Sequence, residues 1–317
     1  MTQEPSKIET PDSLSREMFQ QNDLIHSVYL PFSREQLLPH FNNPKHLDYF
    51  ATSATRYSGV SNGPANTAVN REVRLQRQIE KDERFWTACT LKSVFDAGRF
   101  EHILRLAFGD SPPLMMFGSW QDCVGEKGDQ ELKFEVAVSS PLAYRESLRS
   151  HFVAKGATAH LVPYIVDAAK RRTLYEGTTK VDAVFVNRRT GFSVMFEAKV
   201  LSDVSCDVVF DPCRNQLARN IDVMLDDHKG FLTPEPSKRL FALLTPQMFK
   251  VKPSTRYYGF LFNEYKRNST MIAEHLPHRE ANSLSGVPAR LGWLTFEECM
   301  EVCPGCCPWL EPQTGGP

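Results

Sequence analysis

Residues 181–200 read VDAVFVNRRTGFSVMFEAKV, two apolar runs joined by a short polar turn. Val and Phe dominate Val181–Asn187 and Phe192–Val200, a composition suited to pleated strands. Arg188-Arg189-Thr190-Gly191 between them is a hairpin-length turn, with a glycine where a positive φ is called for. Side chains alternate along a strand, so Phe192, Val194, Phe196, Ala198 and Val200 share one face, and Ser193, Met195, Glu197 and Lys199 the other. Glu197 and Lys199 thus stand side by side on a strand apolar enough to be central in a sheet. A carboxylate and an ammonium there are costly unless paired or bound to something. Asp182 lies near the start of the partner strand, where a hairpin brings it close to Glu197. Two carboxylates and a lysine at the end of a sheet make a site for a hard cation beside an amine. A surface hairpin with an ordinary Glu/Lys pair would contribute little, and the apolar flanks argue against that reading.

At Asp182, followed after fourteen residues by Glu197-x-Lys199, the chain resembles the PD-(D/E)xK superfamily of restriction-endonuclease-like nucleases. Val181 stands where the proline of the motif's name would be, a position that is loose in the family. The resemblance implies an α/β fold: a restriction-endonuclease-like core with a mixed central sheet flanked by helices. It also implies a magnesium (or manganese) ion held by Asp182, Glu197 and the backbone carbonyl of Ala198. Lys199 would orient or deprotonate the attacking water and neutralise charge on the phosphorane.

A helix is expected over Cys213–Leu225, with Leu217, Ile221, Met224 and Leu225 on one apolar stripe. Asp211-Pro212 supplies a start signal, Asp as N-cap and Pro in the first turn. Gln216 and Asn220, four apart, share an edge of the stripe. In RecB-like members of the superfamily a helix after the E-x-K strand carries a Gln that reaches the active site, with an aromatic four residues on. Gln216 matches the Gln, so the resemblance makes it a catalytic candidate, and Asn220 stands where the aromatic would be. Arg214, Arg219 and Asn220 are the expected substrate contacts. A third acid often comes from a helix before the first strand. Glu146, in a helix expected at Tyr144–Ala154, is the preferred metal-site candidate and Glu176 the alternative. Asp203, Asp207 and Asp211 crowd the loop after Lys199, as border to the site or as turn and capping residues.

The 317 residues are 41% hydrophobic and 24% charged with a net charge of −1, values of a soluble globular chain. No apolar run is long enough to span a membrane and no signal-peptide core is present, so the expected compartment is the cytoplasm, with the eight cysteines reduced. The near-zero net charge argues against a generic polyanion binder. Its distribution is informative: ten Lys/Arg against five Asp/Glu between Arg145 and Lys199, and eight against two between Lys238 and Arg279. Basic blocks around an acidic centre suit phosphate-contacting walls about a metal.

Four segments are expected: a polar disordered tail over 1–20, a mainly helical N-terminal region over 21–129, a nuclease-like core over 130–300, and a loose Cys/Pro/Gly-rich tail over 301–317. Val69–Phe95 and Gly98–Phe108 read as helices, as does part of His151–Arg171. Leu132–Val138, Leu240–Leu244, Tyr257–Phe262 and Leu291–Leu294 read as strands, the last running into a helix capped by Thr295. The spacing of Cys299, Cys303, Cys306 and Cys307 is off the iron–sulfur pattern some RecB-like nucleases carry, and no bound metal is expected there. The expected activity is metal-dependent hydrolysis of phosphodiester bonds in nucleic acid, DNA favoured over RNA, with no membrane partner and with room for a homodimer. The alternative is a catalytically inactive nuclease-fold module that binds nucleic acid or protein.

Overall fold

The computed structural model describes residues 24–57, 79–155, 176–205, 211, 214–227 and 232–310. The segment 1–20, Asp207 and all of 156–175 therefore lie outside the described residues. The chain divides into two compact units, Met1–Ile79 and Glu80–Pro317. In the first, β1 (Leu24–His26) pairs antiparallel with β2 (Leu30–Ser33). A capping box between Ser33 and Gln36 starts the single turn α1 (Arg34–Leu37), and α2 (Pro44–Tyr57) follows. Leu30, Leu37, Leu47 and Phe50 form its buried interior.

The second unit runs α3 (Glu83–Asp96), α4 (Phe100–Phe108), α5 (Trp120–Val124), β3 (Gln130–Val138), α6 (Leu142–Lys155), β4 (Thr179–Asn187), β5 (Ser193–Ala198), α7 (Gln216–Leu225), β6 (Arg239–Thr245), α8 (Gln247–Val251), α9 (Tyr257–Arg267), α10 (Thr270–His275), β7 (Leu291–Thr295) and α11 (Phe296–Val302). One five-stranded mixed sheet has the order β3-β4-β5-β6-β7, antiparallel from β3 to β5 and parallel from β5 to β7. The unbroken apolar run of β6 suits a strand covered on both faces. On one face Phe100 of α4 stacks on Phe185 at 4.3 Å and meets Phe196 edge-on at 6.2 Å. On the other, Val184, Val186 and Met195 pack with Leu217, Ile221 and Met224 of α7. The alternation read from Phe192–Val200 thus holds: Phe196 and Met195 serve opposite layers. The hairpin turn also forms as expected, with Gly191 at φ 73° and the Asn187 carboxamide oxygen accepting from the amides of Arg189 and Thr190 at 2.9 Å each.

Three expectations need correction. Tyr257–Phe262 is the first half of α9, not a strand. Its buried residues Tyr258, Leu261, Phe262 and Tyr265 follow helical spacing, which the dense apolar run conceals. The helix expected from Cys213 begins at Gln216, because Asn215 is the N-cap and accepts from the Ala218 amide at 2.9 Å. The C-terminal segment is not loose up to Leu310: Cys306 and Cys307 are buried, and Trp309 stacks on Trp86 of α3 at 4.8 Å. Trp86 in turn meets Phe296 of α11 at 5.0 Å. Trp309→Ala is therefore expected to cost about 1–3 kcal/mol, a loss of packing that a thermal melt reads directly. An unchanged melting temperature would mean that the tail does not brace α3.

The cysteines Cys89, Cys299, Cys303, Cys306 and Cys307 are all free thiols. The structure brings Cys89 of α3 to the C-terminal group, close enough for charge on Cys303, Cys306 or Cys307 to act on it. Burial pushes the thiols of Cys89, Cys299 and Cys306 up, so none is a ready thiolate. Among the described residues no helix is long and apolar enough to cross a membrane.

Candidate active site

The site forms where the antiparallel hairpin hands over to the parallel half of the sheet. Glu197 is fully buried at the end of β5 and needs partners for both carboxylate oxygens. Lys199 Nζ donates to its Oε1 at 2.6 Å, Gln216 Nε2 to the same oxygen at 2.6 Å, and Asn220 Nδ2 to Oε2 at 2.8 Å. Starting α7 at Asn215 places Gln216 and Asn220 one turn apart, so a single helix edge supplies both amides. Asp182 of β4 accepts from the Ala198 amide at 2.8 Å, which fixes its carboxylate beside the same point. Burial first, then the neighbouring charge of Glu197, push the Asp182 carboxyl well above the ordinary range, against the pull of Lys199 and the Ala198 N–H. Lys199 moves the other way from what burial alone would do. Burial works to lower it, but Glu197, Asp182 and Glu83 outweigh that and hold it above the usual lysine range. It therefore remains an ammonium near neutrality. As the donor to Glu197 it is placed for the charge neutralisation and water orientation expected from sequence.

Glu83 is the residue the sequence did not single out. It opens α3, whose N-cap Asp82 accepts from the Arg84 amide at 3.1 Å. Its Oε1 accepts from the Val200 amide at 3.0 Å and from the Ser202 hydroxyl, and its Oε2 lies 3.7 Å from Lys199 Nζ. The charged stretch 69–84 reads as mid-helix surface, so nothing local marks Glu83; only a contact spanning 117 positions brings it in.

The acids proposed for that place lie elsewhere. Glu146 is exposed on α6. Glu176 is buried in a separate network: it accepts from the Ser140 hydroxyl at 2.5 Å and pairs with Arg219 Nε at 3.0 Å and Arg214 Nε at 3.4 Å. Of the expected substrate contacts, Arg214 must be reassigned, and Arg219 is half-buried and engaged within the protein. Arg214 is fully buried, 2.8 Å from Asp222 and 3.6 Å over the Tyr144 ring. Arg219 holds the start of β4 through the carbonyls of Gly177 (3.3 Å) and Thr178 (3.1 Å). Asn220, also an expected substrate contact, instead orients Glu197. Asp203 is a capping residue whose carboxylate accepts from the amides of Tyr257 and Tyr258 at 2.8 and 3.0 Å, and Asp211 accepts from Tyr144 at 3.1 Å.

The network around Asp222 has a consequence for acid stability. Burial raises its carboxyl, but the His278 hydrogen bond and the charges of Arg214, Arg279 and His278 win and set it at about 2. A carboxyl depressed in the folded state contributes stability that is fully present above its unfolded value, near pH 4, and is lost as pH falls through about 2. The stability gap between wild type and Asp222→Asn should be about 2–3 kcal/mol at neutral pH and close between pH 4 and 2. Urea titrations across that range check it; a gap independent of pH would contradict the assignment.

The residues at the site fit a divalent cation by three observations. Glu197 Oε1 and the Ala198 carbonyl, two of the expected ligands, converge on one positive centre already: Lys199 Nζ lies 2.6 and 3.2 Å from them. Asn220 Oδ1 is buried without a hydrogen-bond partner beside that carboxylate. Among the described residues three carboxyl groups, those of Glu83, Asp182 and Glu197, gather about the one ammonium of Lys199, an excess of acid that a divalent ion would offset. Among the described residues no three acid, His or Cys side chains are already arranged around one point, so any ion would rest on Asp182, Glu197, the Ala198 carbonyl and water. No family model, curated protein or solved structure matches the chain.

Proposed function

We propose that the chain is a magnesium- or manganese-dependent nuclease with a restriction-endonuclease-like core, hydrolysing phosphodiester bonds in nucleic acid, DNA before RNA. One observation carries the reading: Lys199, Gln216 and Asn220 converge on the buried Glu197 beside Asp182. A purely structural sheet would gain by replacing this buried polar group with apolar side chains. The bound ion would supply Lewis acidity and lower the pKa of its water. Asp182 and Glu197 with the Ala198 carbonyl would hold it. Gln216 and Asn220 fix the Glu197 carboxylate plane, and thereby the place of the ion. Lys199 orients the attacking water through a donated hydrogen bond and offsets the charge that builds on the phosphoryl oxygens. The mixed sheet flanked by helices on both faces supports this reading, as does the placing of an acid-x-lysine strand immediately before the Gln-bearing helix.

The test is incubation of labelled linear and circular DNA, and a labelled RNA, with the purified chain in magnesium or in chelator. Magnesium-dependent shortening supports the proposal, and cutting of the circle assigns internal cleavage. Retention of nucleic acid without cleavage would favour a catalytically inactive binding module instead.

A further inference from the structure

Glu135 is the one non-glycine with positive φ among the described residues, at 51° in the middle of β3. Left-handed backbone is disfavoured for a glutamate and persists where the surroundings impose it. The ladder does not slip around it: Phe134 stays opposite Ala183 and Val136 opposite Val181, so Glu135 is level with Asp182. Ala183 is opposite Phe196 on the other side, and one further step sets Asp182 level with Glu197. Glu135, Asp182 and Glu197 therefore occupy one row across three adjacent strands. The Glu135 side chain is 10% exposed, and its carboxylate lies 3.3 Å from Arg84 Nε, whose side chain is 40% exposed. Arg84 follows Glu83 in the first turn of α3, so the residue that faces Lys199 and the residue at the open rim are neighbours.

We infer that Arg84 is a contact for the phosphodiester backbone of the substrate strand and that Glu135 is its positioning residue. The inference rests on the nuclease reading. A row of three carboxylates repels a polyanion, and Lys199 is committed to Glu197. A second cation at the rim is what an approaching phosphate requires, and a guanidinium presents planar donors that match phosphate oxygens. A carboxylate beneath the guanidinium fixes its direction. The left-handed backbone interrupts the ladder at Glu135 alone, and its carboxylate there meets Arg84.

The experiment follows anisotropy of a 5′-fluorescein single-stranded oligonucleotide in chelator across a range of salt, and cleavage of the same strand in magnesium, for wild type, Arg84→Gln, Glu135→Gln and Glu135→Gly. Arg84→Gln should weaken binding about tenfold at low salt and reduce the slope of log K against log salt by about one. Glu135→Gly relieves the backbone and should raise the melting temperature while lowering the cleavage rate at least about tenfold. A merely structural role would leave the more stable variant as active as wild type. Glu135→Gln, which keeps the backbone and removes the charge, should show the rate loss without the stability gain. Equal affinity and slope for wild type and Arg84→Gln overturn the contact; wild-type turnover in Glu135→Gly overturns the positioning role. Binding with the slope change but no cleavage by wild type under magnesium or manganese leaves the contact supported and overturns the nuclease reading. Absence of any binding overturns both.

Discussion

Lys199→Met is expected to lower magnesium-dependent cleavage by about 10²–10³-fold, the loss typical of one preorganised electrostatic donor at a reacting centre. Among the described residues the ammonium is the one positive charge in contact with Glu197, at 2.6 Å, and it lies 3.7 Å from Glu83. Among the described residues Arg84 is paired with Glu135 and not with Glu197, so it does not replace the lysine at that carboxylate. The substitution also removes the charge that compensates a buried carboxylate, and breaking such a pair costs about 3–5 kcal/mol. Gln216 and Asn220 still donate to Glu197 and soften that loss. Cleavage must therefore be measured well below the variant's own melting temperature, with circular dichroism as control. A folded Lys199→Met protein that cuts at the wild-type rate would remove Lys199 from the chemistry.

Asp182→Asn should separate stability from function. In the cation-free protein, burial and the nearby Glu197 disfavour the ionised Asp182 carboxylate. An amide keeps an oxygen to accept from the Ala198 N–H and carries no charge. The variant should melt about 2–4 °C above wild type in chelator, the shift that about 1 kcal/mol produces in a domain of this size. Magnesium should reverse the order. A cation that binds the native state at tenfold its dissociation constant adds about 1.4 kcal/mol. Wild type should gain that increment, whereas Asp182→Asn, with half the ligating charge removed, should gain little and cleave nothing. Equal magnesium shifts for the two proteins would place the cation elsewhere.

What could be read from the chain follows from how local each signal is. Strict alternation and a turn glycine fix the hairpin, because side-chain period and turn chemistry are written in adjacent residues. The same locality put Gln216 and Asn220 on one helix edge. The helix start was misread because Asp211-Pro212 carries a capping signal as good as that of Asn215, and only packing chooses between them. Tyr257–Phe262 was misread because six consecutive apolar residues fit strand and helix alike until Tyr265 completes the helical spacing. Glu83 was invisible because its partners Val200 and Ser202 are distant in sequence. Arg214 and Arg219 were expected as substrate contacts from their place on and beside the Gln216 helix. Arg214 is buried on Glu176 and Asp222 and Arg219 half-buried on Glu176, acids whose orientation no spacing reveals.

The central claim is that this one constellation binds a divalent cation and cuts a phosphodiester. Its most direct test is a single time course of strand cleavage by wild type and Asp182→Asn, with magnesium titrated in from chelator. The account predicts no cleavage by either protein in chelator, cleavage by wild type that rises and saturates with magnesium, and none by the variant at any concentration. Cleavage that persists in chelator, or that survives intact in Asp182→Asn, would contradict it.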